Sequence, residues 1–236
     1  MIIVLQRPQD VRNIGAVVRA MLNFGFAELR LVEPVPFAEA DLFGIAHRSE
    51  NLVAHIRYEA DLAVALAEAR FVVGTSERSH PGRVMRHDLR ALAHELVVRE
   101  ATAGPVALLF GPEDHGLDNE ALDRCDCVLS LPTEPGYPSL NLAQAVMLIL
   151  YELRMAGDES VAMPERMREP ATLAERERFA TVLSELVATT GFIKSGDGTT
   201  TLRRLRNLIF RAQPERSELA LLTALFREVI IALRRR

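Results

Sequence analysis

Three apolar runs in this 236-residue chain each open into residues that could bind a ligand. FVV (71–73) is followed by Gly74-Thr75-Ser76. VALLF (106–110) is followed by Gly111-Pro112-Glu113-Asp114-His115-Gly116-Leu117. CVLSLP (127–132) leads into Thr133-Glu134-Pro135-Gly136-Tyr137-Pro138-Ser139-Leu140-Asn141. Glycine, proline and small polar residues leave backbone N–H and C=O groups accessible, and such groups recognise an adenine edge, ribose hydroxyls or a carboxylate. A fourth group sits near the N-terminus, where Asn13, Gly15 and Arg19 follow MIIVLQ. Asn13 is placed to cap a helix start. Gly15 and Arg19 are four apart and share a helix face, so Gly15 leaves room beside Arg19. An arginine between GAVV and AML either snorkels to the surface or faces a cleft.

The elements that must position these residues are legible from periodicity. MIIVLQ, LRLV (29–32), FVVGT (71–75), VALLFG (106–111) and CVLSLP read as strands. Helical spacing marks NIGAVVRAMLNF, stopped by Gly25, then DLAVALAEA (61–69) and SLNLAQAVMLILYELRMAG (139–157). Alternating β and α elements predict an α/β fold with a parallel sheet covered on both faces over residues 1–157. In such sheets ligands sit outside the carboxyl ends of the strands, which is where the three loops fall. Residues 158–171 hold prolines and charges and read as a linker. Residues 172–236 are helical only. Thr172 and Glu175 open a capping box, TTGFIKSGDGTTT (189–201) reads as a turn, and two amphipathic helices follow from 202 and 218.

Composition excludes several classes. With 49% hydrophobic and 25% charged residues, the chain can bury a core. Two cysteines give no disulfide framework, and their C-x-C spacing without a nearby histidine is no zinc site. The N-terminus lacks a basic region before its short apolar run, and no stretch is apolar enough to span a membrane, so the expected location is the cytoplasm. The dinucleotide GxGxxG, the phosphate loop GxxxxGK[ST] and the GxSxG elbow are all absent. The net charge of −4 is uneven: residues 199–236 hold nine Arg and three Glu, which leaves the first 198 residues at −10. A basic tail on an acidic body suits an anionic partner, or is a solvated helix face.

Taken in series, Asn13-x-Gly15-x-x-x-Arg19, Phe110-Gly111-x-Glu113-x-x-Gly116-Leu117 and Ser139-Leu140-Asn141-x-Ala143 resemble the three motifs of the SpoU/TrmH family of SPOUT RNA methyltransferases. TTGFI (189–193) and LRRLRNLIFRAQPERSEL (202–219) resemble the helical extension of the TrmJ branch, which methylates the ribose 2′-hydroxyl at position 32 of the tRNA anticodon loop. The resemblance implies a deep trefoil knot near the carboxyl end of the sheet, S-adenosylmethionine as cofactor, and a homodimer in which the partner completes each site. It implies no metal. Carried over by position, Thr75, Ser76, Gly111, Leu131, Pro138, Ser139 and Leu140 would line the cofactor pocket. Asn13, Arg19, Glu113, Ser139 and Asn141 would form the reaction site. Arg12, Pro112, Asp114 and Pro138 depart from the family pattern.

The family assigns the motif-one arginine, here Arg19, as base. A guanidinium stays protonated and has no acceptor, so orienting the ribose and stabilising a developing alkoxide is the better-founded role. Arg203, Arg204, Arg206, Arg211 and Arg216 of the tail suit phosphate contacts with tRNA. The alternatives are 2′-O-methylation of rRNA or of another tRNA position, a non-catalytic RNA-binding protein with a degenerate knot, and a small-molecule-binding α/β protein.

Overall fold

Seven parallel strands form one sheet in the computed structural model, which describes residues 1–158, 170–194 and 198–235. They are β1 (Ile2–Gln6), β2 (Glu28–Val32), β3 (Arg57–Glu59), β4 (Phe71–Thr75), β5 (Met85–Arg86), β6 (Val106–Phe110) and β7 (Cys127–Leu129), in the order β3-β2-β1-β6-β4-β7-β5. The three strands whose ends carry the polar loops, β6, β4 and β7, are neighbours. All five expected strands are present; β3 and β5, of three and two residues, are too short to show a period. CVLSLP contributes only Cys127–Leu129 to the ladder, because Pro132 and the loop beyond it turn away from the sheet.

Each central strand is apolar on both sides because both sides are covered. Ile3, Leu5, Leu108 and Phe110 point into one core, with α1 (Val11–Phe24), α5 (Leu89–Thr102) and α7 (Leu142–Asp158) packed on it. Ile2, Val4, Ala107 and Leu109 point into the other, under α4 (Leu62–Leu66) and α6 (Asn119–Leu122). Two short helices, α2 (Glu39–Phe43) and α3 (Glu50–Val53), lie between β2 and β3. α5 is the one long helix that the periodicity did not announce. It buries only Leu92, Ala93 and Leu96, and charged residues fill much of the rest.

One local expectation is corrected. α1 is capped by Asp10, which accepts from the Arg12 N–H at 2.8 Å, not by Asn13. Asp10 precedes the helix with extended backbone, whereas Asn13 already lies inside it. The room expected at Gly15 is present, and the group that approaches there is Ile45: a Cβ on residue 15 would stand 2.9 Å from its side chain.

After α7, residues 159–169 of the expected linker lie outside the described residues. The chain is next seen at Pro170, which bridges to Glu215. α8 (Leu173–Thr190) begins with the expected Thr172–Glu175 capping box and ends at Gly191 in left-handed conformation. The expected 189–201 turn is shorter than proposed: α9 (Gly198–Arg211) takes in Gly198–Thr201, and 195–197 lie outside the described residues. α10 (Arg216–Arg234) completes a helical layer whose own core is Phe179, Leu183, Val187 and Leu219. The layer is sewn to the body. Leu173 is buried in the second core and its N–H donates to the Ala69 carbonyl at 2.8 Å. Arg176 of α8 pairs with Asp126, both nearly inaccessible, and Asp126 also accepts from the Val72 N–H at 2.8 Å. Among the described residues no helix is long and apolar enough to cross a membrane.

Breaking a buried pair leaves one charge uncompensated, which costs about 3–5 kcal/mol. Asp126→Ala should therefore lower the urea-denaturation stability by about that amount. Burial pushes the Cys127 thiol up to about 12 and raises Cys125 further. Neither thiol should react with a disulfide reagent at pH 8 until the protein is unfolded.

Candidate active site

The carboxyl ends of β4, β6 and β7 open into one cavity. Thr75, Ser76, Gly111, Leu131, Pro138, Ser139 and Leu140, the seven residues expected at a cofactor, all line it. Each is placed by a strand end. Thr75 closes β4 with its hydroxyl donating to the Leu109 carbonyl at 3.2 Å, and the Ser76 N–H donates to the Leu129 carbonyl at 3.0 Å. Gly111 follows β6 where the chain doubles back on itself. A Cβ there would stand 2.4 Å from the Gly116 carbonyl carbon and the Leu117 nitrogen, both backbone. Only glycine allows this approach. The loop after β7 is braced across its base by the Thr133 hydroxyl, which donates to the Pro138 carbonyl at 3.0 Å. The cavity combines apolar walls, Leu117, Leu129, Leu131 and Leu140, with backbone polar groups and two hydroxyls. That is the lining an adenosine with a charged tail requires.

Beside the cavity, three distant motifs join in one hydrogen-bonded chain. The Glu113 carboxylate accepts from the Gln9 N–H at 2.8 Å, the Asp10 N–H at 3.3 Å and the Asn13 side-chain amide at 2.7 Å. The Asn13 carbonyl oxygen in turn accepts from the Asn141 amide at 2.9 Å. The Asn141 oxygen accepts from the Ala143 and Gln144 N–H groups at 2.9 and 3.3 Å, capping α7. Because each amide uses its oxygen at one end and its nitrogen at the other, the chain has one consistent direction. Glu113 also places a negative charge at the N-terminus of α1, where the free N–H groups favour it. Asn141 thus caps the helix and at the same time joins the hydrogen-bonded chain through Asn13.

Arg19 is not in this group. It is exposed on α1, does not line the cavity, and has no ion pair or hydrogen bond among the described residues. The tail arginines divide. Arg206 donates to the Asp123 carbonyl at 2.6 Å, and burial lowers its pKa; it holds α9 to the body. Arg216 pairs with Glu175 at 2.9 Å. Arg203, Arg204 and Arg211 have no acidic partner among the described residues. Sequence reasoning missed His80, which lines the cavity with its Nε2 2.8 Å from the Ser76 hydroxyl. Burial, with Arg83 and Arg78 nearby, lowers its pKa and so favours the neutral ring. The available signal was its place in TSERSH, directly after a strand end. Among the described residues no group of three or more His, Cys, Asp or Glu could hold a metal.

A parallel sheet whose three adjacent strand ends open into one cavity, with a carboxamide–carboxylate chain beside it, defines an α/β protein with a candidate ligand site. The chain belongs to the SpoU rRNA methylase family, whose model matches residues 1–151. It is 35% identical over 231 residues to the tRNA (cytidine/uridine-2′-O-)-methyltransferase TrmJ of Citrobacter koseri, covering 96% of this chain and 95% of that one. The corresponding enzyme of Escherichia coli strain K12 is likewise 35% identical, with 96% and 94% covered. Among solved structures, TrmJ from Z. mobilis ZM4 superposes with a TM-score of 0.81 at 28% identity, covering 97% of this chain and 98% of that one. The likeness therefore includes the helical extension as well as the sheet.

Gly111→Ala should cost about 3 kcal/mol or more in urea denaturation, since the added methyl meets backbone and not a yielding side chain. Gly136→Ala, where the methyl meets open space, should change stability by less than about 0.5 kcal/mol.

Proposed function

We propose that this protein is an S-adenosylmethionine-dependent methyltransferase acting on the ribose 2′-hydroxyl of a cytidine or uridine in tRNA, at position 32 of the anticodon loop, as a cytoplasmic homodimer. The observation that carries the reading is the chain Glu113–Asn13–Asn141 beside the strand-end cavity: all three motifs that resemble the family converge in space. A degenerate knot that only bound RNA would have no need of this arrangement. The two TrmJ relatives support the tRNA substrate and the pyrimidine nucleoside.

The cavity fits S-adenosylmethionine on its own chemistry. Leu131 and Leu140 would flank the adenine, and the Gly111 backbone would approach it closely. Thr75, Ser76, Pro138 and Ser139 would contact the ribose and the amino-acid portion. When bound, the cofactor supplies an electrophilic sulfonium methyl. The loops after β4, β6 and β7 would form the trefoil crossing that the family resemblance implies.

The protein's own residues must orient the 2′-hydroxyl and manage its proton. Asn13 and Asn141 each keep an amide N–H beyond those used in the chain, and these can hold the ribose. Ser139 lies just before the N-terminus of α7, where free N–H groups favour anionic groups. Arg19 enters from a second copy. It lies three residues from Leu22, which is exposed on the same face of α1. On α7, packed beside α1 through the Phe24–Tyr151 ring contact, Met147, Leu148, Tyr151 and Met155 are also half-exposed. An apolar face of this kind rimmed by an arginine suits a two-fold interface. Docked there, Arg19 reaches the partner's cavity, grips the phosphate beside the target ribose and stabilises the developing alkoxide.

Incubation with labelled S-adenosylmethionine and unmodified bulk tRNA, followed by nuclease mapping, should place a 2′-O-methyl group at position 32. No transfer to tRNA, with label entering rRNA when rRNA is supplied instead, would favour the rRNA alternative. Arg19→Ala should lower the methylation rate about a hundredfold, as loss of one transition-state donor does, while leaving cofactor affinity unchanged. Full activity in that variant would remove Arg19 from the mechanism.

A further inference from the structure

At the carboxyl end of β4, one hydroxyl is spent on the fold and the next is left for a ligand. Thr75 donates its hydrogen to the Leu109 carbonyl, inside the sheet. Ser76 lines the cavity with its Oγ held by two contacts. The Arg78 N–H donates to it at 3.1 Å, the turn in which a serine oxygen serves the backbone two residues on. The Nε2 of His80 lies 2.8 Å from the same oxygen. His80 is itself fixed in the loop, because its carbonyl accepts from the Arg83 N–H at 3.1 Å.

A hydroxyl has one hydrogen to give and two positions that accept. Arg78 occupies one acceptor position, so what Ser76 shows to a ligand is decided by His80. A neutral ring with its proton on Nδ1 takes the Ser76 hydrogen on Nε2, and the remaining lone pair of Oγ is left for the cavity. A charged ring carries a proton on both nitrogens. Nε2 then donates, Oγ accepts, and the hydroxyl hydrogen is turned away from the ring. The same contact thus gives the cavity either an acceptor or a donor.

The charged groups around His80 favour the neutral form. On its own segment, Glu77 pairs with Arg78 at 3.5 Å, and Arg83 pairs with Asp123, just after α6, at 2.8 Å. Asp123 is shared with Arg206 of α9. On the loop after β6, Glu113 is bound to the start of α1, and Asp114 pairs with His115 at 2.5 Å. From the loop after β7, the lining takes only the uncharged Leu131, Pro138, Ser139 and Leu140. Each of these acids has another partner, and none is bonded to His80 among the described residues. Burial first, then Arg83 and Arg78, holds the ring below its ordinary pKa.

We propose that His80 is a positioning residue for the cofactor: the neutral ring takes the Ser76 hydrogen so that Oγ accepts from the bound molecule, and protonation of the ring reverses the hydroxyl and adds a positive charge to the cavity wall. The proposal rests on the reading of this cavity as an S-adenosylmethionine site and names the residue that controls it. S-adenosylmethionine carries a sulfonium, an ammonium and a carboxylate, which leaves one net positive charge. Its demethylated product, S-adenosylhomocysteine, lacks the sulfonium and is neutral overall. A charged His80 therefore opposes the cofactor twice, by repulsion and through the reversed hydroxyl. The product meets only the second effect.

The test measures binding of both molecules to the full-length protein by calorimetry, from about pH 7 down to about pH 5, the range in which a histidine titrates. Wild-type affinity for S-adenosylmethionine should hold at the upper end and fall once the pH drops below the pKa of His80, approaching about tenfold per pH unit, because binding then expels one proton. S-adenosylhomocysteine should show a shallower fall. His80→Gln keeps a hydrogen-bonding group that does not titrate and should bind both molecules with no slope over this range. Ser76→Ala should flatten the curve for S-adenosylhomocysteine, since the group that His80 reverses is gone. In the wild-type protein, the His80 ring resonance, assigned by its loss in His80→Gln, should titrate at lower pH when S-adenosylmethionine is bound. A slope that survives in His80→Gln, a product slope that survives in Ser76→Ala, or a His80 titration that the cofactor leaves unmoved would overturn the assignment while leaving the cofactor reading intact. Failure of the wild-type protein to bind S-adenosylmethionine at any pH would remove both.

Discussion

The carboxylate of Glu113 at the start of α1 is the contact on which the site depends. It ties the loop after β6 to two backbone N–H groups and to Asn13, and through Asn13 to the cap of α7. Two helices that pack side by side on one face of the sheet are thereby held at their N-termini by one acid. The same connection places the Asn13 and Asn141 amides beside the cavity formed by the neighbouring strand ends. Without it, Asn13 would be an unremarkable residue in the first turn of a helix, and Asn141 a helix cap and nothing more.

The cavity itself depends on close approach. Gly111 lets the chain after β6 return against its own backbone at Gly116 and Leu117, and Gly74 of β4 leaves the room occupied by the Cys125 sulfur and the Leu117 side chain. Both cysteines are thus packing residues, their thiols held protonated by burial. The apolar walls and exposed backbone groups of the site follow from the same packing.

The extension is joined to the body by polar contacts as much as by apolar ones. Leu173 enters the second core, but Arg176–Asp126 and Arg206–Asp123 set how α8 and α9 sit over the β5–β7 edge. That geometry opens an arginine-lined cleft between the extension and the sheet edge. It also sorts the tail arginines, which look alike in sequence: Arg206 holds the extension to the body, Arg216 and Arg234 pair within the extension, and Arg203, Arg204 and Arg211 have no acidic partner among the described residues.

Much of this was legible in the residues alone. Apolar runs and their periods marked five of the seven strands, three of the helices over the sheet and the helical extension, because those signals are local and repeat along the chain. The polar loops stood out for the same reason, and their order along the chain carried the family resemblance. What the sequence could not decide were relations between distant residues. Asn13 looked like a cap because only its neighbours were in view; that Asp10 caps and Asn13 reaches Glu113, 100 residues away, is a fact of packing. Gly15 promised room for another group, but that the group is Ile45 is again a fact of packing. β3 and β5 are too short to show a period and exist because a neighbouring strand offers them hydrogen bonds. The sequence by itself determined the layers, the strand-end loops and the kinds of residues at the site. The tertiary structure alone decided which of those residues meet, because a hydrogen bond between distant segments leaves no periodic trace in the chain.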